Sequence, residues 1–167
     1  MSLNSENLLS KIKEFLGNDL ISSDGTYGML AINISSSKNT DLLDFLFKEP
    51  SIQMNFLTDL TGAHYPDRKG GELEVVYHTH SFVNNIRLRI KCPLPIENPE
   101  IKSATKVYMS ANFMERETYD FYGIIFTGHP NLKRILNVDE MDYFPMRKEY
   151  PLEDQTRTDK DDEYFGR

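Results

Sequence analysis

The sequence predicts an α+β fold: two layers, with helices packed on one face of a mostly antiparallel mixed sheet, and an extended C-terminal arm. Three observations carry this. A helical apolar stripe (Leu8, Leu9, Ile12, Phe15, Leu16) opens the chain. Later segments switch to period-two alternation, most clearly in a hairpin between Leu73 and Lys91. Beyond Asn137 the periodicity dissolves into an aromatic, proline-bearing and charged stretch. We therefore draw an α+β domain over residues 1–126 and a docking arm over residues 127–167.

Taken in order, the first helix has Ser5 as its expected N-cap and Gly17 as its stop. Asn18 to Gly28 reads as turns. Leu30, Ile32 and Ile34 alternate with Met29, Ala31 and Asn33, a strand pattern. Thr40 is expected to cap a helix from Asp41 to Lys48, whose five apolar residues cover more than half its circumference and predict deep burial. Ile52, Met54 and Phe56 alternate again in a strand reaching Gly62.

In the hairpin, a loop at Ser81–Asn84 would set Tyr77 opposite Leu88, Val75 opposite Ile90 and His78 opposite Arg87. The prolines between Cys92 and Pro99 are expected to end that sheet strand. A helix then runs from Asn112 to Gly123.

Composition excludes several functions. The chain has 167 residues, 26 acids against 19 Lys plus Arg, and a net charge of −7, which opposes non-specific nucleic-acid binding. The uncharged apolar run Phe121–Phe126 is too short to cross a bilayer, and no secretion signal is evident at Met1, so we expect a cytoplasmic protein. One cysteine, Cys92, cannot build a disulfide framework, an iron–sulfur site or a Cys-rich zinc site by itself. No Gly-rich phosphate loop occurs. Redox chemistry served by such a chain is expected to reside in other polypeptides.

Candidate chemistry is concentrated in Ala111–Leu152. Asn112 and Glu115 have the spacing of a helix capping box. Glu115 and Glu117 point to different faces and cannot act as an acid/base pair on one atom. Arg116, Glu117 and Asp120 share a face, either a solvated charge ridge or a partner contact. His129-Pro130 after Gly128 reads as a turn whose His bonds backbone. Arg134, Arg147 and Lys148 lie among Tyr143, Phe144 and Tyr150, in a segment stiffened by Pro145 and Pro151, which suits docking with little entropy lost. His78 and His80 share a strand face, with His64 a possible third metal ligand, although a neighbouring cation opposes binding. Residues 153–163 carry six acids against Arg157 and Lys160, the composition of a solvated or partner-held tail.

The run ERETYDFYGIIFTGHPNLKRIL, from Glu115 to Leu136, resembles the signature of the 30 kDa subunit family of respiratory complex I, whose bacterial form is the subunit lettered C of NADH–quinone oxidoreductase. PMRKEYPL at 145–152, LTDLTGAHYPDR at 57–68 and the EVVYH…RLRIK hairpin are similar to further family segments. Glu149 stands where Asp is usual, and Phe113 and Tyr143 fill places often held by Trp.

The resemblance implies a subunit without cofactor or catalytic residues, in the peripheral arm on the cytoplasmic side of the inner membrane. It implies a position beside the quinone-site subunit (lettered D in bacteria), with FMN, iron–sulfur clusters and quinone in partner subunits and proton translocation in the membrane arm. Expected interface residues are Arg116, Glu117, Asp120, His129, Pro130, Arg134, Arg147, Lys148 and Tyr150. Two alternatives remain at this point: the homologous subunit of a membrane-bound hydrogenase or related dehydrogenase, and a stand-alone metal enzyme using His64, His78 and His80.

Overall fold

The computed structural model of the chain describes residues 3–150. Helix α1 (Ser5–Leu16) buries Leu8, Ile12 and Leu16. Its cap is Asn4, one residue before the expected Ser5, and the Asn4 side chain accepts the Asn7 N–H at 2.8 Å. Two strands follow, β1 (Leu20–Asp24) and β2 (Leu30–Ile34), then α2 (Asn39–Lys48). Strand β1 replaces the expected turns. It is an exposed edge strand with no buried side chain, held through its ladder to β2, so it leaves no hydrophobic periodicity to read.

Helix α2 starts at Asn39 with Lys38, not the expected Thr40, at its N-cap, and has no side-chain cap bond because an ammonium cannot accept one. Asn39 is turned inward: its Nδ2 donates to Tyr77 Oη at 3.1 Å and to the Lys102 carbonyl at 2.7 Å. Leu42, Leu43 and Leu46 are fully buried, while Phe45 and Phe47 stay at the rim. Full burial of each such leucine contributes about 1.5–3 kcal/mol.

The central sheet adds β3 (Phe56–His64), β4 (Leu73–Ser81) and β5 (Ile86–Leu94), in the order β1-β2-β5-β4-β3. Only the β2–β5 pair is parallel, so the sheet is mixed and mostly antiparallel as expected. Ile52 and Met54 are buried in the loop before β3 and do not belong to the strand.

The hairpin register differs from expectation by two residues: Tyr77 faces Ile90, Val75 faces Cys92 and His78 faces Arg89. The loop is Phe82–Asn85, and Asn85 takes the left-handed φ of 49° that Asn tolerates. Ser81 stays in the ladder because its Oγ donates to the Ile52 carbonyl at 2.7 Å. Since a two-residue offset preserves parity, every side chain keeps its expected face.

Strand β5 also passes through Pro93. The ladder from β2 ends at Lys91, so Pro93 has a sheet neighbour on one side only, where a missing N–H is tolerated. Strands β6 (Glu100–Lys102) and β7 (Ile125–Thr127) form a separate parallel pair, each too short to show periodicity. The domain boundary drawn after residue 126 therefore cuts through β7.

The core lies between the helices and one sheet face, built from Val75, Tyr77, Leu88 and Ile90 with Leu8, Ile12, Leu42 and Leu46. Helix α3 (Ala111–Tyr122) covers the β3 side of that face. Contact is close at Gly62, where an added Cβ would come within 2.5 Å of the Tyr122 ring. Gly62→Ala is therefore expected to lower stability by about 1–3 kcal/mol, measured by denaturant unfolding, with recovery in a Gly62→Ala/Tyr122→Leu double variant. Equal losses in the single and double variants would show that the ring does not set the cost.

Candidate functional site

The segment after β7 does not lead away from the domain. It turns back over α3, and Asp120 organises the return. This carboxylate, on the last turn of α3, is completely buried. Its Oδ2 accepts the N–H groups of Ile135, Leu136 and Asn137 at 3.0, 2.8 and 2.9 Å. Its Oδ1 takes a 2.7 Å ion pair from Arg134 Nη1. Burial works to raise the carboxyl's pKa, but the hydrogen bonds from Asn137, Leu136, Arg134 and Ile135 outweigh it and hold the group well below the usual range. Arg134 completes the junction by donating through Nη2 to the carbonyls of Met141 and Tyr143.

Neighbouring anchors extend this clamp. Arg116 donates to the Lys133 and Arg134 carbonyls at 3.2 and 3.1 Å. Arg147 Nε donates to the Tyr122 carbonyl at 2.7 Å, and its guanidinium lies 4.8 Å from the Phe144 ring centroid. Both groups crowd Gly123, which ends α3 in the left-handed region at φ 72°. His129 Nδ1 accepts the Asn131 N–H, while its other nitrogen pairs with the Asn112 carbonyl, so the His-Pro turn bonds backbone as expected. Farther along, the Lys148 N–H donates to Nδ1 of the buried His64 at 2.9 Å, with Glu149 3.5 Å from the same atom.

The structure thus brings most of the expected interface residues together, but spends several of them internally. Asp120 and Arg134 face each other, and Arg116 and Arg147 hold backbone carbonyls. Glu117, Pro130, Lys148 and Tyr150 keep exposed side chains, and His129 is half-buried. Pro151, Leu152 and the acidic stretch 153–163 lie outside the described residues.

The capping box is replaced by a different arrangement. Ser110 is the N-cap of α3 and makes no side-chain cap bond. Glu115 is fully buried and turns across to the β6–α3 connector, accepting from Ser103 Oγ and the Ala104 N–H, both at 2.6 Å. Burial pushes its pKa up to about 7 against the opposing pull of those two bonds. Sequence spacing could not reveal Ser103 or Ala104 as partners, because cap geometry and inward burial both favour a carboxylate at this position.

The three histidines do not converge. His64 pairs with Leu73 and lies on the core face, whereas His78 and His80 lie on the opposite face. Arg89 Nε donates to His78 Nε2 at 2.8 Å, so a cation occupies the lone pair a metal would need. Desolvation first, then Arg89, lowers the His78 pKa.

Two expectations follow. Asp120→Asn leaves three part-buried N–H groups and Arg134 without their anion, so we expect a loss of about 2–4 kcal/mol in unfolding experiments. The wild-type contribution is present above the normal aspartate pKa and is lost as pH falls toward the depressed folded value, so the variant should show a shallower acid limb. Glu115 has the opposite sign. Its folded pKa is raised, so its contribution is full below about pH 4.5 and is lost as pH rises to about 7. Glu115→Gln should remove that slope and gain about 1–3 kcal/mol at pH 8, read from melting curves across pH. An unchanged slope would contradict this placement of Glu115.

Comparison with known proteins agrees with the geometry. Residues 32–156 match the family model described as respiratory-chain NADH dehydrogenase, 30 Kd subunit. An NADH-quinone oxidoreductase subunit, lettered C, of Roseiflexus sp. (strain RS-1) is 37% identical over 152 residues, covering 91% of this chain and 87% of the relative. One of the same letter from Rhizobium etli (strain CIAT 652) is 41% identical over 136 residues, covering 80% and 71%. Among solved structures, a trypsin-resistant fragment of Nqo5 superposes with a TM-score of 0.62 at 27% identity, over 75% of this chain and 98% of the fragment. A membrane-bound sulfane sulfur reductase complex shares the fold alone, with a TM-score of 0.71 at 20% identity, over 88% of this chain and 85% of the matched one. The chain, with its α+β sheet and the return segment clamped on Asp120, belongs to the 30 kDa subunit family of respiratory-chain NADH dehydrogenase.

Proposed function

We propose that the chain is a non-catalytic structural subunit of the peripheral arm of a proton-translocating NADH–quinone oxidoreductase, docked beside the quinone-site subunit. The observation that carries this reading is the return segment 128–150. It is pinned to α3 by Asp120 and Arg147 and to β3 by His64, yet keeps Pro130, Lys148 and Tyr150 at the surface, with Glu117 of α3 exposed as well. Such a pre-organised charged and aromatic surface loses little entropy on docking.

The residues give no obvious handle for redox chemistry. Cys92 is buried in the core, and burial raises its thiol pKa, which opposes the thiolate a cluster ligand must be. In this reading FMN, iron–sulfur clusters and quinone are held by partner subunits. Among the described residues no helix is long and apolar enough to cross a membrane. Attachment to the cytoplasmic side of the inner membrane then comes through the assembly.

Affinity purification of the full chain from native membranes should recover the quinone-site subunit together with subunits bearing redox centres. A Lys148→Glu/Tyr150→Ala variant should lower that recovery about tenfold while the melting temperature of the isolated chain is unchanged. Recovery of the wild-type chain only as a free monomer would overturn the proposal.

A further inference from the structure

A second surface lies at the other end of β3 from His64. Phe56 opens β3 and its ring packs 5.1 Å from that of Phe82, in the β4–β5 loop beside Val83. Two residues before Phe56, the Met54 carbonyl accepts the Tyr108 hydroxyl at 2.6 Å, which brings the start of α3 to the same end of the sheet. Phe47 packs against Tyr108 at 5.7 Å, and Met109 and Phe113 follow along the chain. The exposures are high: Met109 90%, Val83 68%, Phe113 64% and Phe82 62%. Phe56, paired with His80, and the Phe82 ring packed on both lie toward the outer sheet face, whereas Phe47, Met109 and Phe113 belong to the helical layer, so the cluster spans the rim of both layers at this end. Single exposed apolar residues are ordinary, but six at one end mark a contact surface.

Charge identifies the kind of partner. Arg87 stands beside the loop, opposite His80, and Lys106 lies just before Tyr108. Neither forms an ion pair among the described residues, although the chain carries a net charge of −7. The N-terminus of α3, which has no side-chain cap, adds the positive end of a helix dipole at the same edge. Glu117 lies nearly two turns into α3, and exposed Asp59, three residues beyond Phe56, is 3.7 Å from His78.

We propose that this end, formed by Phe47, Phe56, Phe82, Val83, Met109 and Phe113 with Arg87 and Lys106, docks an apolar, carboxylate-rimmed surface of another protein subunit. The inference rests on the subunit role proposed above. It gives the domain a second attachment, at the opposite end of β3 from the anchored return segment. The apolar side chains supply the buried contact, and the two cations select a partner bearing Asp or Glu at its rim.

The test places a photo-reactive benzoylphenylalanine at Phe82 of the full chain in native membranes. Irradiation should join it to a different subunit, at a peptide whose apolar residues neighbour Asp or Glu. An Arg87→Glu/Lys106→Glu variant should lower recovery of the assembled complex about tenfold, with an unchanged melting temperature in the isolated chain. A chain that assembles but joins to lipid, to a second copy, to residues 151–167 of its own chain or to nothing overturns this surface alone. So does full assembly of the charge-reversed variant. A chain found free in the soluble fraction overturns the underlying subunit role as well.

Discussion

The return segment depends on one buried anion. Asp120 gathers three consecutive backbone N–H groups and a guanidinium around a single carboxylate with no solvent exposure. A carboxylate without these donors could not stay charged in that position. The three N–H groups lie in a half-buried stretch where α3 limits access by water, and the carboxylate is the acceptor that pairs them there. Each side of the contact therefore requires the other, which fixes the path of the chain from Lys133 to Asn137. Arg134 continues the same logic by spending its remaining donors on Met141 and Tyr143.

Helix α3 is the hub because it carries buried acids facing two directions. Glu115 reaches the β6–α3 connector at Ser103 and Ala104, and Asp120 reaches the return segment. The environments oppose one another electrostatically. Two neutral donors hold Glu115, and burial prevails; four donors, one of them cationic, hold Asp120, and the charge prevails. Residues of one signature run thus serve different structural ends, with carboxyl pKa values shifted in opposite directions. After these internal demands Glu117 and Lys148 are among the charged side chains left outward.

This division accounts for a family member whose strongest sequence features are charged yet mostly turned toward its own backbone. Several of the charges that look like an interface are consumed in making the surface rigid. The histidines illustrate a related point. His64 holds the Lys148 backbone from the core face, while His78 sits under Arg89 on the other face, so similar residues in neighbouring strands perform unconnected tasks.

By itself the sequence determined what local periodicity encodes. Alternation placed β2, β4 and β5 and assigned the buried faces of β4 and β5, and these faces survived a two-residue error in hairpin register because parity repeats every two residues. The apolar stripes placed α1 and α2, and the signature run from Glu115 to Leu136 placed the family. Tertiary structure decided the rest. The edge strand β1 and the short β6 and β7 bury too little to leave a pattern. The partner of Glu115 lies 12 residues away, that of Asp120 14 and that of His64 84. Periodicity records which side of an element is buried, because burial repeats along it. Which donor meets a buried carboxylate depends on where two distant segments cross in space, and no spacing within either segment carries that information.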